Sequence, residues 1–147
     1  MKSVSALLLS LVPLITAHAE GWKLDDSKES IQAHGSVKTA AGVVGQSLVL
    51  DGSSVIELKD TAQLNGSFTV SVWFNPHVLE GSQQMIVGKN RYSLGERQWG
   101  VTIEPDGKMQ AHLRQDGWSE ITCAEPLKAG HWHLATLTVD SGKAALF

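Results

Sequence analysis

Phe68-Thr69-Val70-Ser71-Val72-Trp73-Phe74-Asn75-Pro76 decides the fold of this chain. Phe68, Val70, Val72 and Phe74 alternate with Thr69, Ser71, Trp73 and Asn75, so one face is apolar and the other mixed. Period two over β-branched and aromatic residues predicts a strand with one side in a core. Asn65-Gly66 opens it with a turn signal, and Pro76, which has no N–H to give a ladder, closes it.

Working outward, the same pattern recurs. Downstream, residues 85–89 and 99–103 read as strands. Glu104-Pro105-Asp106-Gly107 is the strongest hairpin signal, with proline presetting the first turn position and glycine accepting a positive φ at the end. Lys108–Arg114 returns with Met109, Ala111 and Leu113 on one face. Asp116-Gly117 turns into a strand at 118–124, and a loop over 125–130 leads to a long strand at 131–140. Upstream, 54–59 and 47–50 alternate, the latter between a Gly42/Gly45 turn and Asp51-Gly52. Residues 60–64 suit one helical turn, and 21–26 an opening strand followed by a polar loop to Ser36. No stretch after residue 20 holds a helical period for ten residues. Short strands with frequent turns predict an all-β antiparallel sandwich or barrel. Ser141-Gly142 makes a last turn into 143–147, which stops within a strand, so the sandwich is expected to be the front part of a longer one.

At 147 residues the chain fits one domain with a sizeable core. Its 42 % hydrophobic and 18 % charged residues exclude a disordered class. A net charge of −3 offers no basic stripe for a phosphate backbone, so nucleic acid is not an expected partner. Residues 1–19 carry Lys2, an apolar run over 4–15 and the small-residue site Ala17-His18-Ala19, the three parts of a secretory signal peptide in order. Cleavage is expected after Ala19. That leaves residues 20–147 as the domain, without a membrane span, in a secreted, periplasmic or cell-surface location. Cys123 stands alone, so no internal disulfide forms, and its alternating flanks predict a buried, inert thiol.

Four pieces in order resemble the laminin-G-like (LamG) branch of the concanavalin A-like lectin/glucanase superfamily. They are Gly42-Val43-Val44-Gly45-Gln46-Ser47-Leu48-Val49-Leu50-Asp51-Gly52, Phe68-Thr69-Val70-Ser71-Val72-Trp73-Phe74, Asp106-Gly107, and Gly130-His131-Trp132-His133-Leu134-Ala135. They look like the family's glycine-rich strand pair, its FT-v-s-W strand, its dG hairpin and its g-W-h-h-v-A strand. The resemblance implies a jelly-roll β-sandwich of two curved antiparallel sheets, incomplete at its C-terminal end because the family's closing strands would follow Phe147.

The resemblance also raises glycoside hydrolysis, which needs two carboxyl groups flanking the scissile bond. The glucanase branch supplies them from an E-x-D-x-E pattern. No such triplet occurs here, and no catalytic residue is assigned. The superfamily implies calcium as a possible ligand, through an aspartate and loop carbonyls. Asp51, Asp60, Asp116 and Asp140 fall at strand ends, where aspartate is also the common turn-former, so no ligand set is named. His131 and His133 share a face by spacing, without a third ligand nearby in sequence. They read as ordinary strand histidines with solvent or backbone partners, not a zinc site.

Aromatic residues carry the binding expectation. A sugar's C–H face stacks on an exposed ring while hydroxyls meet nearby polar groups. Trp99, Trp118 and Tyr92, with Arg114 beside them, lie near loops or strand ends and form the expected ligand-binding set. Trp73 and Trp132 lie within long strands and are read as core or sheet-covering residues. The expected function is a secreted, non-catalytic recognition module, most simply carbohydrate-binding. Two alternatives stand beside it: an N-terminal accessory domain of a larger secreted polysaccharide-active hydrolase, and an adhesion or surface-display module binding an extracellular protein.

Overall fold

A computed structural model describes residues 31–58, 66–91, 96–114 and 116–147. The expected signal peptide, opening strand at 21–26 and helical turn at 60–64, together with Tyr92, lie outside the described residues. Those described form eleven strands and no helix. They are β1 (Ile31–His34), β2 (Lys38–Ala41), β3 (Gln46–Val49), β4 (Val55–Leu58), β5 (Phe68–Phe74), β6 (Gln84–Arg91), β7 (Glu96–Ile103), β8 (Lys108–Arg114), β9 (Trp118–Pro126), β10 (His133–Asp140) and β11 (Lys143–Leu146).

Every pairing is antiparallel. A four-stranded sheet runs β6-β7-β8-β9 and a three-stranded one β11-β10-β5, with two-stranded pairs β1-β4 and β2-β3. The stretch that opened the sequence reading is β5. It pairs along its whole length with β10, from His133 opposite Phe74 to Val139 opposite Phe68.

The two larger sheets bury one face each against the other. β7 contributes Trp99 and Val101, β8 Met109, Ala111 and Leu113, and β10 Ala135, Leu137 and Val139. Phe68, Val70, Val72 and Phe74 of β5 pack against that cluster, and the Phe68 and Trp99 rings lie 5.3 Å apart. Burying a side chain such as Leu137 contributes about 1.5–3 kcal/mol. The packing of two alternating sheets is therefore what holds this sandwich.

Turn chemistry sets the registers. In the β7–β8 hairpin Gly107, at φ 80°, donates its N–H to Glu104 O at 2.8 Å, and Glu104 donates to Lys108 O at 2.8 Å. Between β10 and β11, Ser141 and Gly142 take φ 47° and 81°, the double positive φ of a type I′ hairpin. β11 then pairs with β10, and Phe147 continues the ladder by exchanging two 2.9 Å hydrogen bonds with Thr136.

Three expectations shift. β1 forms within the expected polar loop and β2 in a stretch given no element, because Gln32, Ala33 and Lys38 to Ala41 are exposed and carry little apolar periodicity to announce a strand. β10 begins at His133, since residues 129–130 form a turn in which Gly130, at φ 73°, donates to Pro76 O at 2.8 Å. β7 begins at Glu96, three residues before the expected start, which moves Trp99 into the strand interior.

Candidate functional site

The outer face of the four-stranded sheet follows from strand alternation. On β8, Met109, Ala111 and Leu113 point inward, so Gln110, His112 and Arg114 point outward. Gly100 opposes His112, and Thr102 opposes Gln110. On β9, Trp118 opposes Arg114, Glu120 opposes His112, and Thr122 opposes Gln110. One transverse row of this face reads Gly88, Gly100, His112, Glu120 across the four strands. The next row holds Met85, Thr102, Gln110 and Thr122.

That second row is knit by hydrogen bonds. Gln110 Nε2 donates to Thr122 Oγ1 at 3.0 Å. The buried Thr102 hydroxyl lies 2.7 Å from Glu104 Oε1, which also accepts from Gln83 Nε2 at 2.7 Å. The first row has a notch. A Cβ on Gly100 would come within 2.6 Å of His112 Cε1 and 2.7 Å of its Nε2, so the imidazole is seated on the bare glycine. A Cβ on Gly88 beside it would come within 2.9 Å of the Trp99 carbonyl oxygen and 3.3 Å of Met85 Sδ.

Trp118 stands at the rim of the notch. It is 50 % exposed, and its ring lies 5.8 Å from the His112 ring at an interplanar angle of 58°. Burial pushes the His112 imidazole below its ordinary value. The charges around it oppose one another, with Glu120 and Glu104 favouring the protonated form and Arg97 the neutral one.

The expected ligand-binding residues therefore separate. Trp118 and Arg114 are brought together as a cross-strand pair on the outer face. Trp99 is corrected. It is 5 % exposed, on the inner face opposite Leu113 and against Phe68, and offers no surface for stacking. Tyr92 lies outside the described residues. Trp73, read as core or sheet-covering, is 51 % exposed on the outer face of the three-stranded sheet, opposite Leu134 at 43 %. His112, Glu120 and Gln110 were missed, although each stands two or four residues from Arg114 or Trp118 and so shares its face.

The remaining candidates serve turns. Asp51 Oδ1 accepts the Ser53 amide at 3.0 Å and the Ser53 hydroxyl at 2.6 Å. Asp140 Oδ1 accepts from Ser67 Oγ at 2.7 Å and Ser141 Oγ at 3.1 Å. Asp116 sits on an exposed bend, and Asp60 lies outside the described residues. Among the described residues no three His, Cys, Asp or Glu side chains are grouped to hold a metal. His131 precedes β10, with Nδ1 3.0 Å from Ala129 O, while His133 Nε2 lies 3.0 Å from Lys128 O. Both rings are used by the 128–131 turn. Cys123 is half-buried, and burial pushes its thiol up, as suits an unreactive group.

A sandwich of antiparallel sheets with no helix among the described residues is the architecture of the concanavalin A-like proteins. The chain belongs to the concanavalin A-like lectin/glucanases superfamily, and a laminin G family model of that description matches residues 50–147. No curated protein and no solved structure matches it. Laminin G-like domains bind carbohydrates or proteins. No helix among the described residues is long and apolar enough to cross a membrane.

Proposed function

We propose that this chain is an exported recognition module that binds carbohydrate through the outer face of its four-stranded sheet. Trp118 carries the proposal. Its indole is half-exposed opposite Arg114, with the His112 ring 5.8 Å away and Glu120 two residues further along the same face of β9. A pyranose laid on that ring has a guanidinium, an imidazole and a carboxylate around it, the mixture of donors and acceptors a polyhydroxyl ligand needs. Export rests on the signal-like residues 1–19.

Affinity electrophoresis through gels cast with soluble polysaccharides tests the platform. The Trp118→Ala variant should lose about tenfold in affinity, a stacking contribution of about 1.5 kcal/mol, with its circular dichroism unchanged. Unaltered retention of a folded Trp118→Ala protein would remove the platform.

A protein partner is favoured by a different observation. Trp73 and Leu134 form an exposed apolar cross-strand pair on the other sheet. On that reading Trp73→Ala, and not Trp118→Ala, abolishes binding to the extracellular partner in a pull-down.

A further inference from the structure

We propose that His112 is a binding and positioning residue of the Trp118 platform, that Gly100 is the seat it requires, and that the face takes a neutral sugar. The proposal rests on Trp118 being the platform. The geometry is specific. His112 is held from below by Gly100, whose missing Cβ is the space the imidazole occupies. It is flanked by Trp118 on one side, with Glu120 opposite it on β9. The ring packs beside the indole, 5.8 Å between centroids, with Nε2 over Gly100, and in this proposal that nitrogen meets a hydroxyl of a sugar extending from the indole across β8. Glu120 offers an acceptor beside that nitrogen.

The charges select against an acidic sugar. The charges that act on His112 through space are Glu120 on β9, Arg97 on β7 and Glu104 just past the end of β7, while Arg114 shares its face of β8 and β6 brings Gly88 and Met85 alongside. Two guanidinium groups and two carboxylates leave the floor without net charge. A uronate or sulfated residue would meet Glu120, whereas the hydroxyls of a neutral residue can donate to Glu120 and accept from Arg114 together. A neutral imidazole, favoured by its burial, accepts a hydroxyl proton that the imidazolium cannot.

The test is affinity electrophoresis of the whole chain at pH 7.5 and 5.0, in gels holding a neutral β-glucan, a neutral galactan or a polyuronate. Four variants accompany it: Trp118→Ala, His112→Ala, His112→Gln and Gly100→Ala. His112→Ala should weaken retention by a neutral polysaccharide about fivefold, the size of one lost hydrogen bond. Gly100→Ala should do the same by displacing the ring, and His112→Gln should restore part of the loss because its amide can still meet a hydroxyl. Acidification should weaken the native protein but leave His112→Gln unchanged, which a merely structural histidine would not produce. Thermal melts at both pH values certify each variant as folded. If Trp118→Ala abolishes retention while folded His112→Ala and Gly100→Ala keep it, the inference falls and the platform stands. If Trp118→Ala has no effect, the platform itself falls. Retention by the polyuronate alone overturns the neutral-sugar assignment.

Discussion

Asp51 shows how much a single carboxylate can do in a turn. The hydroxyl of Ser53, then its amide, then the hydroxyl of Ser54 hold the Asp51 carboxyl at about 2, against an ordinary 3.8. Its folded value lies below its unfolded one, so its contribution is present above about pH 4 and is lost as pH falls through about 2. Carboxyl carbon shifts followed by NMR should show Asp51 titrating near 2; a midpoint near 3.8 would mean that the turn does not hold. The same hydrogen bonds put Asp51 in the turn-forming role that aspartates at strand ends commonly take. Tryptophans were the harder case. Trp118 was legible as a surface ring because Asp116-Gly117 places it at a strand start. Trp99 was not, because the three polar residues ahead of it, Glu96 to Gln98, belong to the strand, and alternation with Val101 and Ile103 turns the indole inward. His112 went unnoticed because its meaning depends on Gly100 across the sheet, a neighbour that sequence spacing does not reveal.

At the scale of elements, local chemistry made most of the strands readable. β5, β8 and the β7–β8 hairpin carry period-two patterns and turn residues that agree with their packing. β1 and β2 escaped because exposed strands need no apolar alternation; their pairing with β4 and β3 decides them. Gly35, at φ 89°, is the hinge there, for a Cβ would come within 3.0 Å of Ser53 O, and the buried Ser54 hydroxyl closes the turn on Ser36 O at 2.9 Å. The β10–β11 turn offers a cleaner test. Gly142→Ala forces a side chain into φ 81°, and should destabilise the fold by about 1 kcal/mol in urea unfolding, whereas Ser141→Gly should be neutral or better. Equal effects of the two changes would argue against the I′ geometry.

Across the described residues, the two larger sheets bury one core and leave two outer faces of different chemistry. Leu137 is fully buried at its centre, so Leu137→Ala should cost about 2–5 kcal/mol in denaturant midpoint analysis; a loss under 1 kcal/mol would mean the sheets do not meet as described. Export belongs to this scale too. Expressed with residues 1–19 in a secreting host, the mature protein should begin at Glu20 by N-terminal sequencing, and retention of Met1 would contradict it. The central claim concerns which outer face binds. Its most direct test is an NMR titration of uniformly ¹⁵N-labelled protein with an oligosaccharide from whichever polysaccharide retains it, following indole and backbone N–H signals together. The account predicts shifts of the Trp118 indole and the 110–114 and 118–122 amides, with the buried Trp99 indole and exposed Trp73 indole steady. Shifts centred on Trp73 and Leu134, with Trp118 unmoved, would contradict it.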